Sequence, residues 1–575
     1  GGSDDRTDSE GKLDDIYVIT KVYQGSSSGA SVNPYIGLRY GDWTKPVKAT
    51  IISDNELEAN ILDFRVYNRN KEKLYYYLGS ATDAASSANV IEVWPGKYKE
   101  NVMINKKLTL LGSGASRTII DARYLGSAIK LQSSSDYSVI ENISVIRSKN
   151  SSSTCSSTTQ YAGIDAYQSY HLKINNVRFI DNYAGFVGCY TYYLELSNSY
   201  VDSTPRTSKT WGIFVYNSYY NELRNNEITE HTDGIYAENT HYSKFSDNFI
   251  HNNTNDGMEY KYGHSSEFTN NTFYSNTANG IYFYRVTMSS ATQGAKFIGN
   301  SFVDNNYGFY GYGYGSSSYS RYMEFSDNKF KSNSNYGLYC YYYCYNIEVE
   351  NNTFIGDSDT SYGLYLQRSY YGIVGNNTFH NDHTSYDIYM YSCGSGTSHN
   401  KFFNNNFTTI LLSGSSCAVY VYDYLNLRTI EEDADPFSGV ELELKDDSQT
   451  YYQTPHWSGS DSVTDTDGYI SSDIFLRSGS YSGSSTLAVN TITANYAYGI
   501  RAQTTTFNFT EDTTKSITIP DYFREGVVNN TNTGVLYTSI SSAISSASTG
   551  DVLQVWSWTF NEQVVITKGL TLVGN

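Results

Sequence analysis

Two aspartates stand one repeat apart, each immediately before a glycine: Asp233-Gly234 and Asp256-Gly257, 23 residues apart. His231, Glu238, Glu259 and Lys261 lie within a few residues of them. Paired carboxyls are what acid–base cleavage of a polysaccharide requires, one carrying a proton and the other ionised. In later repeats, however, the same position holds Asn279, Tyr307, Tyr336 and Tyr362. The column is therefore read as a turn position that is acidic twice, and no catalytic residue is assigned.

Aromatic columns are the stronger signal. The second residue after the repeat glycine is Phe214, Tyr236, Tyr282, Tyr310, Tyr339 or Tyr365, and the fourth is Tyr216, Tyr284, Tyr312 or Tyr341. On strands these positions share one face, and stacked tyrosines there stabilise neighbouring strands by up to about 1 kcal/mol per pair. Such a strip serves as a ladder, as a face covered by a neighbouring filament or domain, or as a platform for sugar rings. Asp461, Asp465, Asp467 and Asp473, around Gly468, are spaced like part of an oxygen-rich Ca²⁺ loop, echoed by Asp4, Asp8 and Glu10. Asp-Gly is equally a hairpin turn, which is the preferred reading. Calcium is the one cofactor with candidate ligands; otherwise none is expected.

Asn-x-Ser/Thr acceptor sites occur at Asn142, Asn150, Asn252, Asn270, Asn351, Asn376, Asn406, Asn508 and Asn529. Their number follows from the abundance of Asn, Ser and Thr and proves nothing. Four of them (Asn252, Asn270, Asn351, Asn376) fall in or near a repeat corner, where a glycan has room to project. Cys155, Cys189, Cys340, Cys344, Cys393 and Cys417 lack CxxC spacing and a paired histidine, which argues against zinc. An even number in a polar chain fits disulfides, with the connectivity left open.

The elements that position these residues follow from composition and repeats. The chain has 575 residues, with 40 Lys+Arg against 59 Asp+Glu, a net charge of −19. That balance argues against nucleic acid or an anionic membrane as partner, and no apolar run is long enough to span a bilayer. Aromatics at 16%, with 59 tyrosines, exclude a disordered chain. Many small polar residues with few charges suit a solvated β-surface outside the cell or on its surface. No charged-then-apolar leader precedes Gly1, so the chain is read as processed or as a segment of something longer.

From about residue 140 to 410 the glycines Gly212, Gly234, Gly257, Gly280, Gly308, Gly337 and Gly363 recur 22, 23, 23, 28, 29 and 26 residues apart. Between them recurs a polar pair ending in Asn, then a spacer and an apolar residue: Asn225-Asn226-Glu227-Ile228, Asp247-Asn248-Phe249-Ile250, Asn270-Asn271-Thr272-Phe273, Asn351-Asn352-Thr353-Phe354, Asn376-Asn377-Thr378-Phe379. The units alternate with period two, as strands do. Glycine supplies a positive φ or a close approach, Asn tolerates a left-handed corner, and stacked Asn side chains bond from coil to coil. The expectation is an all-β protein built on a parallel β-helix.

These motifs resemble the right-handed parallel β-helix superfamily, in particular the Asn-rich repeats of NosD-like and pectate-lyase-like surface proteins, over roughly residues 77–430. The resemblance implies the fold and says little of function, because that fold hosts lyases, hydrolases, adhesins and structural proteins alike. Polygalacturonase-like enzymes carry Asn-Thr-Asp, Gly-His-Asp and Arg-Ile-Lys motifs, and none occurs in this sequence.

A longer repeat lies over the short one. Val90–Trp94 through Leu108–Gly112 reads against Val552–Trp556 through Leu570–Gly574 at an offset of 462, with Glu100/Glu562 and Lys106/Lys568 in step. Leu78, Ala81 and Ala85, against Ile540, Ala543 and Ala547, read as a helical turn capping the solenoid end. Further upstream, Gly2–Asp4 matches Gly459–Asp461 at an offset of 457. The stretch after each copy is Thr/Val/Ile-rich and reads as a small β-sandwich (Ig-like). The expected plan is an incomplete β-sandwich over 1–76, a capped β-helix over 77–435, a second β-sandwich over 436–535, and over 536–575 the cap and first turn of a second β-helix. The function expected is that of an extracellular structural protein forming a filament, sheath or surface layer with copies of itself. The alternatives are a glycan-binding adhesin and a polysaccharide lyase or hydrolase; surface glycans are the only other partner expected.

Overall fold

The computed structural model describes residues 65–574 apart from 150–154, 156–160, 205–210, 285–293, 314–319, 343, 381–382, 395–397, 415–416, 483–485, 500 and 525–526. Before residue 65 it describes only the backbone of short strands, so the sandwich expected over 1–76 lies almost wholly outside the described residues, as do Asp4, Asp8 and Glu10.

Each coil contributes three short strands, and every strand pairs in parallel with its counterpart one coil on. In one coil these are Glu222–Arg224, Glu227–Thr229 and Asp233–His241; in the next, Lys244–Ser246, Phe249–His251 and Met258–Lys261. Leu223 lies opposite Phe245, Ile228 opposite Ile250 and Ile235 opposite Met258. Among the described residues the ladders form one 12-stranded sheet, one 13-stranded sheet and a third face running from Asn89–Val93 to Ala418–Ile430.

A three-residue strand has one inward side chain, and the sequence puts a large apolar residue there. Phe245, Phe268, Phe297 and Phe325 stack inside one sheet at 4.7–5.0 Å between ring centres. Phe273, Phe302, Phe330, Phe354 and Phe379 stack inside another at 4.7–5.2 Å. The first and third residues after each repeat glycine, such as Ile235/Ala237 and Leu338/Cys340, complete this single elongated core.

The repeat glycines are required by close approach, not by backbone sign. A Cβ on Gly308 would lie 2.5 Å from the carbonyl of Gly337, and one on Gly234 would lie 2.6 Å from that of Gly257. Positive φ falls instead to the first residue of the polar pair: Asn225, Asp247, Asn270, Asn351 and Asn376 sit at φ 53–57°. The second Asn turns inward and forms a buried ladder. Asn226, Asn248, Asn271, Asn300, Asn328, Asn352, Asn377 and Asn405 bond Nδ2 to Oδ1 from coil to coil at 2.9–3.0 Å. A second ladder, Asn253–Asn276–Asn305–Asn333, runs beside it at 2.8–3.2 Å. These amides satisfy corner groups that neither sheet reaches; an unsatisfied one costs about 1–3 kcal/mol.

Helix Leu78–Ala84 closes the solenoid's first coil, burying Leu78 and Ala81 in the main core. Glu100 accepts the amides of Leu78 and Gly79 at 3.0 and 2.8 Å, and Lys106 donates to the carbonyls of Asp83 and Ala85. At the other end, strand Ala418–Ile430 pairs in parallel with the last solenoid strand, antiparallel with Ile474–Ser482 and in parallel with Thr513–Thr518. A second core joins its Leu425 and Leu427 to Leu442, Leu444, Ile492 and Tyr496 of a four-stranded antiparallel sheet. One strand therefore serves both cores.

Candidate functional site

The outward face of the 13-stranded sheet brings the chemistry-bearing residues together. Register places Tyr236, Glu259, Tyr282, Tyr310, Tyr339, Tyr365 and Tyr389 side by side on successive strands, one per coil. Tyr216, Glu238, Lys261, Tyr284, Tyr312 and Tyr341 form a parallel column two residues on. A third column, Asn279, Tyr307, Tyr336 and Tyr362 before their glycines and Tyr386 before Asp387, runs beside them.

Toward the first cap this face is acidic. Asp233 opens a strand and is 6% exposed; Asp256, one coil on, is 2% exposed. The two are linked by hydrogen bonds: Asn255 Nδ2 and the Asp256 amide donate to Asp233 Oδ1, and the Asn279 amide and Nδ2 donate to Asp256 Oδ1. Burial, reinforced by the neighbouring Asp233 charge, pushes the Asp256 carboxyl up to about 7. Burial also raises Asp233, against the hydrogen bond from Asn255, and raises Glu259, against the pull of Lys261. Lys261 Nζ lies 2.5 Å from Glu259 Oε1 and 5.1 Å from the centre of the Tyr236 ring. Tyr236 in turn donates to Glu238 Oε2 at 2.7 Å. A carboxyl poised near neutrality is able to hand over a proton at physiological pH. The sequence-based expectation of a turn position carries no information on how deeply these acids are buried and coupled. Asp256 is raised because it is shut away from water.

Further along, the face is phenolic. Tyr282, Tyr310, Tyr339, Tyr365 and Tyr389 pack at 4.6–5.3 Å between ring centres, Tyr284, Tyr312 and Tyr341 at 5.5 Å, and Tyr307, Tyr336 and Tyr362 at 4.9–5.2 Å. Each ring is half-buried by its neighbours. Burial lifts the Tyr336 phenol to about 12, and a hydrogen bond with Tyr342 does the same for Tyr341. Phe214 departs from the pattern: it points out of the solenoid yet is 4% exposed, because Ala162, Ala184, Val187 and Cys189 pack over it.

A second aromatic strip escapes a sequence-based reading. At the corner entering the third face, Tyr137, His171, Tyr193, Tyr220 and Tyr242 stack at 4.5–5.2 Å with ring planes within 17°. Beside them run Tyr170, Tyr192, Tyr219, His241 and His264 at 4.1–5.2 Å. All five members of the first file hold positive φ, which bulky residues rarely adopt. Its rings cover one another's faces and present their edges outward. The only signal in the sequence is the aromatic or His residue two positions before each of five successive third-face strands.

Elsewhere the candidates disperse. Asp465 Oδ1 accepts the amides of Asp467 and Tyr469, and Asp461 accepts that of Gln453, so these carboxylates cap turns, while Asp473 is exposed. Among the described residues no three His, Cys, Asp or Glu side chains are placed to hold a metal ion. Asn252, Asn270 and Asn351 are exposed and Asn142 and Asn376 half-buried, all five at left-handed corners. Asn406 and Asn508 are exposed, Asn529 is half-buried, and Asn150 lies outside the described residues. The cysteines pair as Cys155–Cys189, Cys340–Cys344 and Cys393–Cys417. Among the described residues no helix is long and apolar enough to cross a membrane.

Comparison with known proteins agrees with this architecture. The family described as right handed beta helix region matches residues 191–354, and the family described as periplasmic copper-binding protein (NosD) matches residues 309–416. Ladder topology and family matches together give the solenoid the right-handed parallel β-helix fold. No curated protein sequence matches the chain. Among solved structures it is similar to the A-module of mannuronan C-5 epimerase AlgE6 from Azotobacter vinelandii, at 14% identity over 59% of this chain and 92% of that one, with a TM-score of 0.33. It is similar to the Dettilon tailspike protein at 15% identity over 71% and 72%, with a TM-score of 0.39. DFA-IIIase from Arthrobacter chlorophenolicus A6 is similar at 13% identity over 56% and 87%, with a TM-score of 0.37.

Proposed function

We propose that the protein is an extracellular structural element whose solenoid units join with other copies into a filament, sheath or surface layer. The observation that supports this is a second cap. Ile540–Ser546 repeats the bonds of Leu78–Ala84: Glu562 accepts the amides of Ile540 and Ser541, and Lys568 donates to the carbonyls of Ser545 and Ala547. Val552–Val555 then pairs in parallel with Thr571–Gly574, as Asn89–Val93 does with Leu108–Gly112. A cap with its own parallel ladder is how a solenoid starts, so the proposal keeps a tandem plan: sandwich over 1–76, helix over 77–435, sandwich over 436–535, new start over 536–575. Pairing of all six cysteines suits an oxidising compartment. Electron microscopy of native material tests the reading. Long particles with a regular axial repeat are expected; short discrete monomers refute it.

A second reading, a glycan-binding adhesin, draws support from the accessible face where carboxylates adjoin a tyrosine track. Saturable glycan binding that drops when Tyr282 and Tyr310 are both changed to Ser is expected; binding that survives both changes refutes it.

A further inference from the structure

We propose that the aromatic ridge at the corner entering the third face is a self-contact, against which a second copy packs side by side and antiparallel. This gives the structural reading a lateral contact and rests on that reading. The ridge is Tyr137, His171, Tyr193, Tyr220 and Tyr242, one ring per coil, and its tyrosines are 41–54% exposed. All five residues hold φ between 53° and 61°, where a β-carbon is costly. At the far end of the same five strands that conformation falls to Asn142, Asn176, Asn198, Asn225 and Asp247, which tolerate it. Rings kept at strained corners on the outside of the solenoid, where they seal no core, point to a contact rather than to local stability.

The chemistry of the ridge selects the partner. Each ring is covered by the next, so a sugar finds no aromatic face to lie on, and what is offered is edges and hydroxyls that both donate and accept. A second ridge of the same coil spacing keeps step with it ring for ring. Charge fixes the orientation. Two residues past the rings runs an outward column in register: Lys173, Glu195, Glu222, Lys244 and Glu267. With two copies antiparallel about Tyr220, Lys244 of each faces Glu195 of the other, and Lys173 faces Glu267. The one like pair, Glu222 with itself, is relieved by Arg224, 3.1 Å from Glu222 in its own chain. Centring the pair between Tyr193 and Tyr220 would instead set Lys173 against Lys244 and Glu195 against Glu222. The net charge of −19 opposes the meeting of two copies, but physiological salt screens it beyond about 8 Å. Five half-exposed rings of about 100 Å² each, in two copies, come to about 1,000 Å², the lower limit of a specific interface. The contact is therefore weak between single chains and adds up where units repeat along a filament.

Sedimentation velocity of the full chain at physiological salt tests the inference. A reversible dimer populated by about 300 µM is expected, in keeping with an interface at the lower size limit. Tyr193→Ser with Tyr220→Ser is expected to weaken it at least about tenfold. Lys244→Glu and Glu195→Lys, made in separate chains, are each expected to weaken self-association about tenfold, and mixing the two chains to restore it, since opposite charges then meet at every pair. A chain monomeric throughout overturns the inference, and so does a dimer indifferent to the two serines. A dimer that the serines abolish but the mixed charge variants fail to restore overturns the antiparallel register. Glycan binding by a monomeric chain, lost with the two serines, gives the ridge to a sugar and overturns the self-contact. Electron microscopy separates this contact from the filament reading. Dimers in solution with only short particles in native material sink that reading and leave the contact, whereas long particles that never lie in pairs, from a chain that does not dimerise, sink the contact alone.

Discussion

The two halves of one sheet face share a backbone and differ in almost everything attached to its outside. From Asp233 to Lys261 the outward positions are joined by charge and hydrogen bonds; from Tyr282 to Tyr389 they are joined by ring packing. Beneath both lies the same column of buried residues, Ile235 and Met258 under the acids, Phe309 and Leu338 under the phenols. The inside is fixed because each coil must hand its register to the next. The outside is a free variable on which chemistry is written, and each half solves its own burial problem by its own physics.

The sharpest way to break this comparison is to attack what the halves share. Gly234→Val in the acidic half and Gly308→Val in the phenolic half both force a side chain into a neighbouring carbonyl, at 2.6 and 2.5 Å. Each is expected to cost on the order of 4 kcal/mol or more, the upper end of single-substitution effects. Denaturant melts should find the two losses alike. A glycine tolerated in one half only would show that the interior is not common to both.

The next effect separates the halves by pH. Asp256 titrates at about 7 in the fold against 3.8 when unfolded, so between these values the folded chain holds the extra proton. Stability from this group is therefore full below about pH 4, declines as pH rises toward 7, and is flat above. The decline amounts to roughly 4 kcal/mol if Asp256 bears it alone. Hydrogen exchange at pH 5 and pH 8 should show strand Met258–Lys261 opening more readily at the higher pH, with Tyr336–Tyr341 unchanged; Asp256→Asn should flatten the dependence. Equal responses in the two strands would dissolve the distinction.

The legible part of the molecule is the part that repeats. Glycine spacing and the Asn pair carry the coil period, the inward residues and the first Asn ladder, because every coil must meet the same steric demand at the same position. The second ladder at Asn253, Asn276, Asn305 and Asn333 is equally periodic but hard to read, since no apolar residue in a fixed motif marks it. Two features resist for physical reasons. Tyr193, Tyr220 and Tyr242 occupy left-handed corners that local preference assigns to Asn or Gly, so propensity points away from them. The acidic column reads as a turn position in the sequence because the same position in later coils holds Asn279 and Tyr307, which are not acids. Burial of Asp233 and Asp256 depends on how tightly adjacent coils close over them, which one-dimensional spacing does not carry.

The smallest effect probes how each half is glued. Tyr339 packs against Tyr307, Tyr310, Tyr336 and Tyr365, the last at 4.7 Å edge to face. A double-mutant cycle of Tyr339→Leu with Tyr365→Leu is expected to give a coupling of about 1 kcal/mol that salt leaves alone, because ring quadrupoles and excluded water do not respond to ionic screening. The same cycle on Glu259→Gln with Lys261→Met should start near the same size, the pair being partly shielded from solvent, and shrink between 0.05 and 1 M salt as the Debye length falls to about 3 Å. Salt-independent coupling in both halves would mean that Glu259 and Lys261 are held by packing and not by charge. The acidic half would then be a polar variant of the tyrosine half.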